Sequence, residues 1–447
     1  MKPVLALVCL AATTAIAQSD RALSQKLDAI AGAGVAENRA VGITAAVARG
    51  KETLLLKAYG KSDVEGDVAM TADTVLPIGS VTKQFTAVAI LQLRDQGKLG
   101  LDDEITKWLP DFDTRGSKVT LRNLLNHTAG VQELGQMQEL RAMQMMRNPN
   151  VTRDEVYKVI RGYPLQYAPG TMQLYSNTHY WLLGLVVEKA SGVTYKEYID
   201  KRIFEPLGMS HSMYGNAPNA FGYGMRGGAA RRAQAIVQTG THSAGALCST
   251  AGDMVKWLQA LHGGKVLSPR SYKDLITPAT LNDGTETRYA MGTTVAEDSH
   301  GLRYLGHNGG GFGFSSEARW YPGAQLAIVV LTNSEPDEIT KVTEDIAATV
   351  LPAPKPAGAF KGDATQLAGK YKGLGVSGEM VIDVTVAPQG IAVSVNGGAT
   401  EPLPSWVEGW TFRRRDALLI FRRTGASGPA TELHFDTGGD HFILKRQ

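Results

Sequence analysis

Two hydrophobic rhythms divide the chain. Up to about residue 350, strand-like and helix-like periodicities alternate, with glycine-rich turns between them; from about residue 360 only the period of two remains. In the first part, residues 42–60 (GITAAVARGKETLLLKAYG) predict a hairpin, two apolar runs about Gly50. Residues 81–99 predict a helix that is apolar on almost every side, which places it in a core. Residues 121–130 predict a short helix stopped near Gly130, and 178–192 a second buried helix ended at Gly192. Two strands about a Pro-Gly turn are expected over 317–333. The methionine-rich stretch 137–160 reads as a helical cap whose methionines serve packing.

Residues 351–359 (LPAPKPAGA) have the composition of a linker. Beyond them, runs such as GEMVIDVTVAP, GIAVSVNG and TELHFD follow at regular spacing, the pattern of a small antiparallel sheet or barrel over 360–447. The expected organisation is a mixed α/β domain over 18–350 and a separate all-β domain over 360–447. The first seventeen residues, with one lysine, an apolar run and Ala15-Ile16-Ala17, have the form of a cleavable secretory signal, cut before Gln18. That run falls short of the roughly 20 residues a membrane span needs, and no later segment supplies one. Cleavage would leave Cys248 alone, so no internal disulfide is expected; export without disulfides suits a periplasm or the medium.

The candidate chemistry starts where the apolar helix starts. Ser80 and Lys83 stand three residues apart at its mouth, on one side of the helix. The helix N-terminus favours negative charge on the serine oxygen, and Phe85 and Val88 would strip Lys83 of water. A desolvated amine spends time neutral and can take the serine proton. The bland alternative is a capping serine and a first-turn surface lysine. Two further stretches weigh against it. Tyr175-Ser176-Asn177 lies on the loop entering the 178–192 helix, where a phenol can relay a proton and an amide can hold a carbonyl. His307-Asn308-Gly309-Gly310 resembles an exposed strand whose glycines let a ligand approach the backbone, so that an N–H from it can join that of Ser80 in an oxyanion hole.

Taken in order, SVTK, YSN and HNGG resemble the three active-site motifs of the penicillin-recognising serine hydrolases, which include class C β-lactamases, D,D-peptidases, D-aminopeptidases and esterases. Connecting phrases such as GKLGLDDEITKWLP, LLNHTAG, YAPGT and STAGDM agree, over roughly 25–335. The tail resembles the lipocalin-like domain of some members. The resemblance implies a β-lactamase-like antiparallel sheet flanked by helices, with a mainly helical subdomain. It implies Ser80 as the acylated nucleophile, Lys83 as its base and Tyr175 as proton relay. Asn177 would orient the substrate amide, His307 and Gly309 would line the substrate strand, and the N–H groups of Ser80 and Gly310 would bind the oxyanion. His307 departs from the lysine many members carry there: it is partly protonated at neutral pH, so carboxylate recognition is expected to be weaker.

Composition sharpens this by exclusion. The 447 residues carry a formal charge of +3 with Lys and Arg scattered, which argues against nucleic acid as partner. The densest basic run, Arg413-Arg414-Arg415, reads as the solvated end of a strand. Nine dispersed histidines show no zinc motif, and neither a G-x-S-x-G elbow nor a phosphate loop is present; no cofactor or metal is expected. The expected partner is a small molecule or short peptide: a D-residue peptide or an ester, with a β-lactam as the rival substrate. The competing class is a penicillin- or peptidoglycan-binding protein that no longer turns over. Oligomeric state is left open by the sequence.

Overall fold

The computed structural model describes residues 21–447 apart from 218, 336–338, 353–359, 377, 389, 404, 405, 415, 416 and 426; the expected leader and most of the expected linker lie outside the described residues. Seven strands form the principal sheet: β1 (Gly42–Arg49), β2 (Glu52–Asp63), β3 (Val68–Ala69), β4 (Thr294–Glu297), β5 (Arg303–Gly311), β6 (Phe314–Tyr321) and β7 (Leu326–Thr332). Neighbours are antiparallel throughout, in the order β3-β2-β1-β7-β6-β5-β4.

All seven residues of β7 are buried because both faces of the sheet are covered. Ile43, Val47, Ile328 and Val330 pack against Leu27 and Ala31 of the helix over 21–36, and against Ile339 and Ile346 of a C-terminal helix. The alternating residues Ala46, Ala327, Val329 and Leu331 join the larger core. Two apolar surroundings, one on each face, are why this strand reads as a continuous hydrophobic run.

The larger core is built on α1 (Thr82–Asp95), α2 (Asn177–Ser191) and α3 (Ala251–His262); α4 (Ile339–Val350) covers the other face. The first ten residues of α1 are all buried, and Phe85 stacks on Trp257 with centroids 3.9 Å apart. Helix α2 ends at Gly192, whose φ of +82° supplies the left-handed cap.

Two expectations need correction. The helix after Thr120 runs only from Leu121 to Leu125, well short of Gly130, and both His127 (φ +62°) and Gly130 (φ +77°) are left-handed beyond it. Gly130 has a second reason to be glycine: a Cβ there would stand 2.2 Å from the Tyr167 carbonyl oxygen. The methionine-rich region is two short helices, Gln138–Ala142 and Arg153–Ile160, joined by a loop. Met137 and Met145 pack in the core as expected.

The tail is a nine-stranded, nearly barrel-shaped antiparallel sheet: β8 (Gly369–Gly375), β9 (Gly378–Ala387), β10 (Gly390–Val395), β11 (Glu401–Leu403), β12 (Trp406–Glu408), β13 (Thr411–Arg414), β14 (Ala417–Arg422), β15 (Glu432–Asp436) and β16 (His441–Arg446). Their order is β11-β10-β9-β8-β16-β15-β14-β13-β12. Tyr371, Ile382, Val393, Phe412, Leu419 and Leu444 fill it, and Leu174 from the first domain belongs to the same cluster. Arg413 is no solvated strand end: it pairs with Glu297 of β4 at 2.5 Å and helps fasten the two domains, while Arg414 pairs with Glu401.

Candidate active site

Ser80 sits in a single turn of 3-10 helix, Gly79–Val81, that runs straight into α1. Backbone N–H groups in such a first turn have no acceptor within their own helix. Strand β5 passes directly beside this turn. Its neighbour β4 pairs only as far as Gly306, so residues 307–311 offer an open strand edge towards Ser80. The approach is close enough to require glycine on both sides. A Cβ at Gly79, which has φ +48°, would lie 2.9 Å from the Gly310 nitrogen, and one at Gly309 would lie 2.7 Å from the Ser80 nitrogen. The N–H groups of Ser80 and Gly310 are thereby brought together, as an oxyanion hole requires.

Lys83 is fully buried and makes three hydrogen-bond contacts: Ser80 Oγ at 2.9 Å, Asn177 Oδ1 at 2.7 Å and the Ala244 carbonyl at 2.8 Å. Burial brings its ammonium down to about 7, while the nearby Glu133 carboxylate pulls the other way. The contact inventory then fixes direction. A neutral amine has two hydrogens and one lone pair. Ala244 offers a carbonyl, which only accepts. The amide of Asn177 is oriented by Glu133, whose carboxylate receives both the Asn177 backbone N–H (2.5 Å) and the Nδ2 hydrogen (3.1 Å), so that Oδ1 must face Lys83. Both hydrogens of the amine are committed, and its lone pair is left for the Ser80 hydroxyl.

The other side of the cleft is made of rings. Tyr175 lies over Lys83, Nζ to centroid 4.8 Å, and packs on His127 at 4.3 Å and on Tyr289 and His307 at 6.0 Å each. Burial raises its phenol above the ordinary range and Ser80 is the neighbour that opposes this; the hydroxyl completes no hydrogen bond among the described residues. The strand is exposed at Asn308 and Gly310, but His307 itself is only 5% exposed. Its Nδ1 donates to the Asn308 carbonyl at 2.5 Å, which leaves Nε2 to accept from the Tyr289 hydroxyl at 3.0 Å. Burial, with the Lys83 charge adding to it, lowers His307 to about 3. The expectation of a partly protonated histidine is therefore corrected: it is a neutral imidazole at physiological pH.

Two cavities meet at Ser80, Asn177 and Gly310. The larger, about 490 Å³, is polar and carries Glu133, Tyr175, His307 and, from the tail, Thr437, Gly439 and Asp440. The smaller, about 160 Å³, is walled by Met146, Ile236, Phe312 and Phe314. Among the described residues lining these cavities the one cation is Arg319, already committed to Glu317 and Glu344. The described residues contain no cluster of three or more metal-ligating side chains.

All seven residues expected from the sequence thus converge on one cleft. Residues 27–350 match the β-lactamase family. The chain belongs to that family. Two relatives in Bacillus subtilis, PbpX and penicillin-binding protein 4*, are 32% and 27% identical to this β-lactamase-family chain over 262 and 313 residues. The alignments cover 58% and 66% of this chain, and the chain spans about two thirds, 63% and 68%, of the relatives' own length. Among solved structures, the D-amino acid amidase of Ochrobactrum anthropi SV3 superposes with a TM-score of 0.65 at 26% identity, covering 73% of this chain and 98% of the amidase. SurE superposes with a TM-score of 0.65 at 24% identity over 97% of this chain and all of its own, so the likeness of fold extends through the barrel.

Sequence reasoning missed Glu133, Tyr289 and Asp440. Glu133 had a signal: it is the one charged side chain in the otherwise neutral stretch 123–138. Tyr289 and Asp440 had none, since folding brings them from 114 and 265 residues beyond Tyr175.

Proposed function

We propose that this β-lactamase-family chain is a serine hydrolase that opens amide or ester bonds through an acyl-enzyme on Ser80. The observation that carries the reading is the hydrogen-bond inventory of Lys83, which leaves a neutral amine one lone pair and aims it at the serine hydroxyl. Lys83 takes the proton as Ser80 Oγ attacks the carbonyl. The N–H groups of Ser80 and Gly310 receive the developing oxyanion, and Tyr175 passes a proton to the leaving group. Water then repeats the attack on the acyl-enzyme.

The cleft also has a preference of sign. It carries the carboxylates of Glu133 and Asp440, a neutral His307 and no uncommitted cation among its described lining residues. An anionic β-lactam or peptide carboxylate is disfavoured there, while neutral esters and amides, including amides of D-amino acids with a free amine, are accommodated. The likeness to a D-amino acid amidase supports that substrate class. Incubation with p-nitrophenyl acetate, D-phenylalanine amide and nitrocefin, with intact-mass analysis, tests the reading. Turnover is expected on the first two, far above that on nitrocefin, and Ser80→Ala is expected to lose about 10³-fold or more with no adduct. A stable adduct without turnover, or an unaffected Ser80→Ala, contradicts it.

A further inference from the structure

The barrel does more than dock beside the first domain. The turn between β15 and β16, Asp436 to His441, reaches into the cleft, where Thr437, Gly439 and Asp440 share the larger cavity with Ser80 and Tyr175. Asp440 Oδ1 accepts the backbone N–H of Tyr175 at 2.7 Å. The next residue, His441, donates its own N–H to the Gln173 carbonyl at 2.9 Å, a β-bridge between the turn and the tyrosine's loop. The Gly439 backbone lies against the Tyr175 ring, with Cδ2 3.4 Å from where a Cβ would stand. Leu174, immediately before Tyr175, is buried in the barrel's own core.

The turn is itself fixed from both sides. Arg288 holds the Asp436 carboxylate at 2.9 Å and its carbonyl at 2.7 Å, and Asp436 receives hydrogen bonds from Gly438 N–H and His441 Nδ1. At the reactive end the Tyr175 hydroxyl completes no hydrogen bond among the described residues. The phenol's position is therefore set by packing and backbone: rings of the first domain on one side, and Asp440 and Gly439 of the second domain behind it.

We propose that Asp440 is a positioning residue of the active site: by holding the Tyr175 backbone N–H from the barrel, it sets the distance between the phenol and Ser80. The inference rests on the hydrolase reading above. What the role requires is an acceptor oxygen at that point rather than a charge, so an amide of the same shape fulfils it.

The test uses the full chain, with steady-state hydrolysis of uncharged p-nitrophenyl acetate and hydrogen exchange at the Tyr175 amide. Asp440→Ala is expected to lower kcat about ten- to a hundredfold, with KM changed less than about twofold. Its Tyr175 amide should exchange at least about tenfold faster, as a lost hydrogen bond exposes it to solvent. Asp440→Asn should keep both readouts near wild type. A wild-type-like Asp440→Ala, an Asp440→Asn as impaired as the alanine variant, or a loss in KM alone overturns the proposal. Should Asp440→Ala not fold, Asp440→Glu, which displaces the acceptor by one methylene, takes its place with the same expected split. If the wild type hydrolyses no ester, the hydrolase reading fails, and the exchange rates alone decide whether Asp440 holds Tyr175.

Discussion

The two sides of Ser80 are built on different principles. On one, Lys83, Asn177 and Glu133 form a chain of hydrogen bonds between 2.5 and 3.1 Å in which every hydrogen-bonding side-chain group has a partner. On the other, Tyr175, His127, Tyr289 and His307 touch ring to ring, and neither the Tyr175 hydroxyl nor His127 Nε2 completes a hydrogen bond among the described residues. The first side spends its polar capacity inside the protein and determines which way a proton moves. The second keeps capacity in reserve, which a substrate or water can fill. A buried polar network is costly when it is half satisfied. Two of the molecule's unsatisfied buried groups thus stand where the proposed chemistry can use them.

That contrast can be broken most severely at Lys83. Lys83→Met keeps the length of the stem and removes the amine; acylation of Ser80 by p-nitrophenyl acetate should fall about 10³-fold or more, read as the burst of p-nitrophenol. A variant within tenfold of wild type would mean that the proton leaves by another route. A milder perturbation is Glu133→Ala, which leaves every proposed reacting group in place and frees the Asn177 amide to turn. With the amide reversed, Nδ2 would donate to Lys83 and claim its lone pair. We expect kcat to drop about ten- to thirtyfold, the scale of a lost charge-assisted hydrogen bond, with the burst still on Ser80 by mass. An unchanged kcat would show that Asn177 is oriented without Glu133.

The sequence reveals one side of the cleft better than the other. Ser80 and Lys83 share a helical turn, and Tyr175 and Asn177 a loop, so local spacing displays them together. The glycines at 309 and 310 announced a close backbone approach, and the approach is there. What spacing could not convey is context from distant chain segments. His307 reads as a histidine near its ordinary protonation midpoint until its burial, with the Lys83 charge beside it, is seen to hold it neutral. The short helix is expected to stop near Gly130, whereas it ends at Leu125 and His127 already turns left-handed before Gly130 does. His127 turns its ring inward, where Nδ1 accepts the Ser176 N–H and contacts His179. The β pattern of the tail was plain from its period of two, but the insertion of its turn beside Tyr175 follows from the docking of one domain on another, and no local pattern reports that.

The central claim is that Lys83 works as a neutral base, and the pH dependence of Ser80 acylation tests it most directly. Burial that brings the ammonium to about 7 makes the neutral amine the minor form below that pH and the major form above it. The burst rate with p-nitrophenyl acetate, whose own charge does not change, should therefore rise through an apparent midpoint near 7 and level off above it in the wild type. Lys83→Arg, with a guanidinium that stays charged, should lose the rise and react slowly at every pH. A wild-type rate that is flat from pH 5.5 to 9, or the same midpoint surviving in Lys83→Arg, would contradict the account.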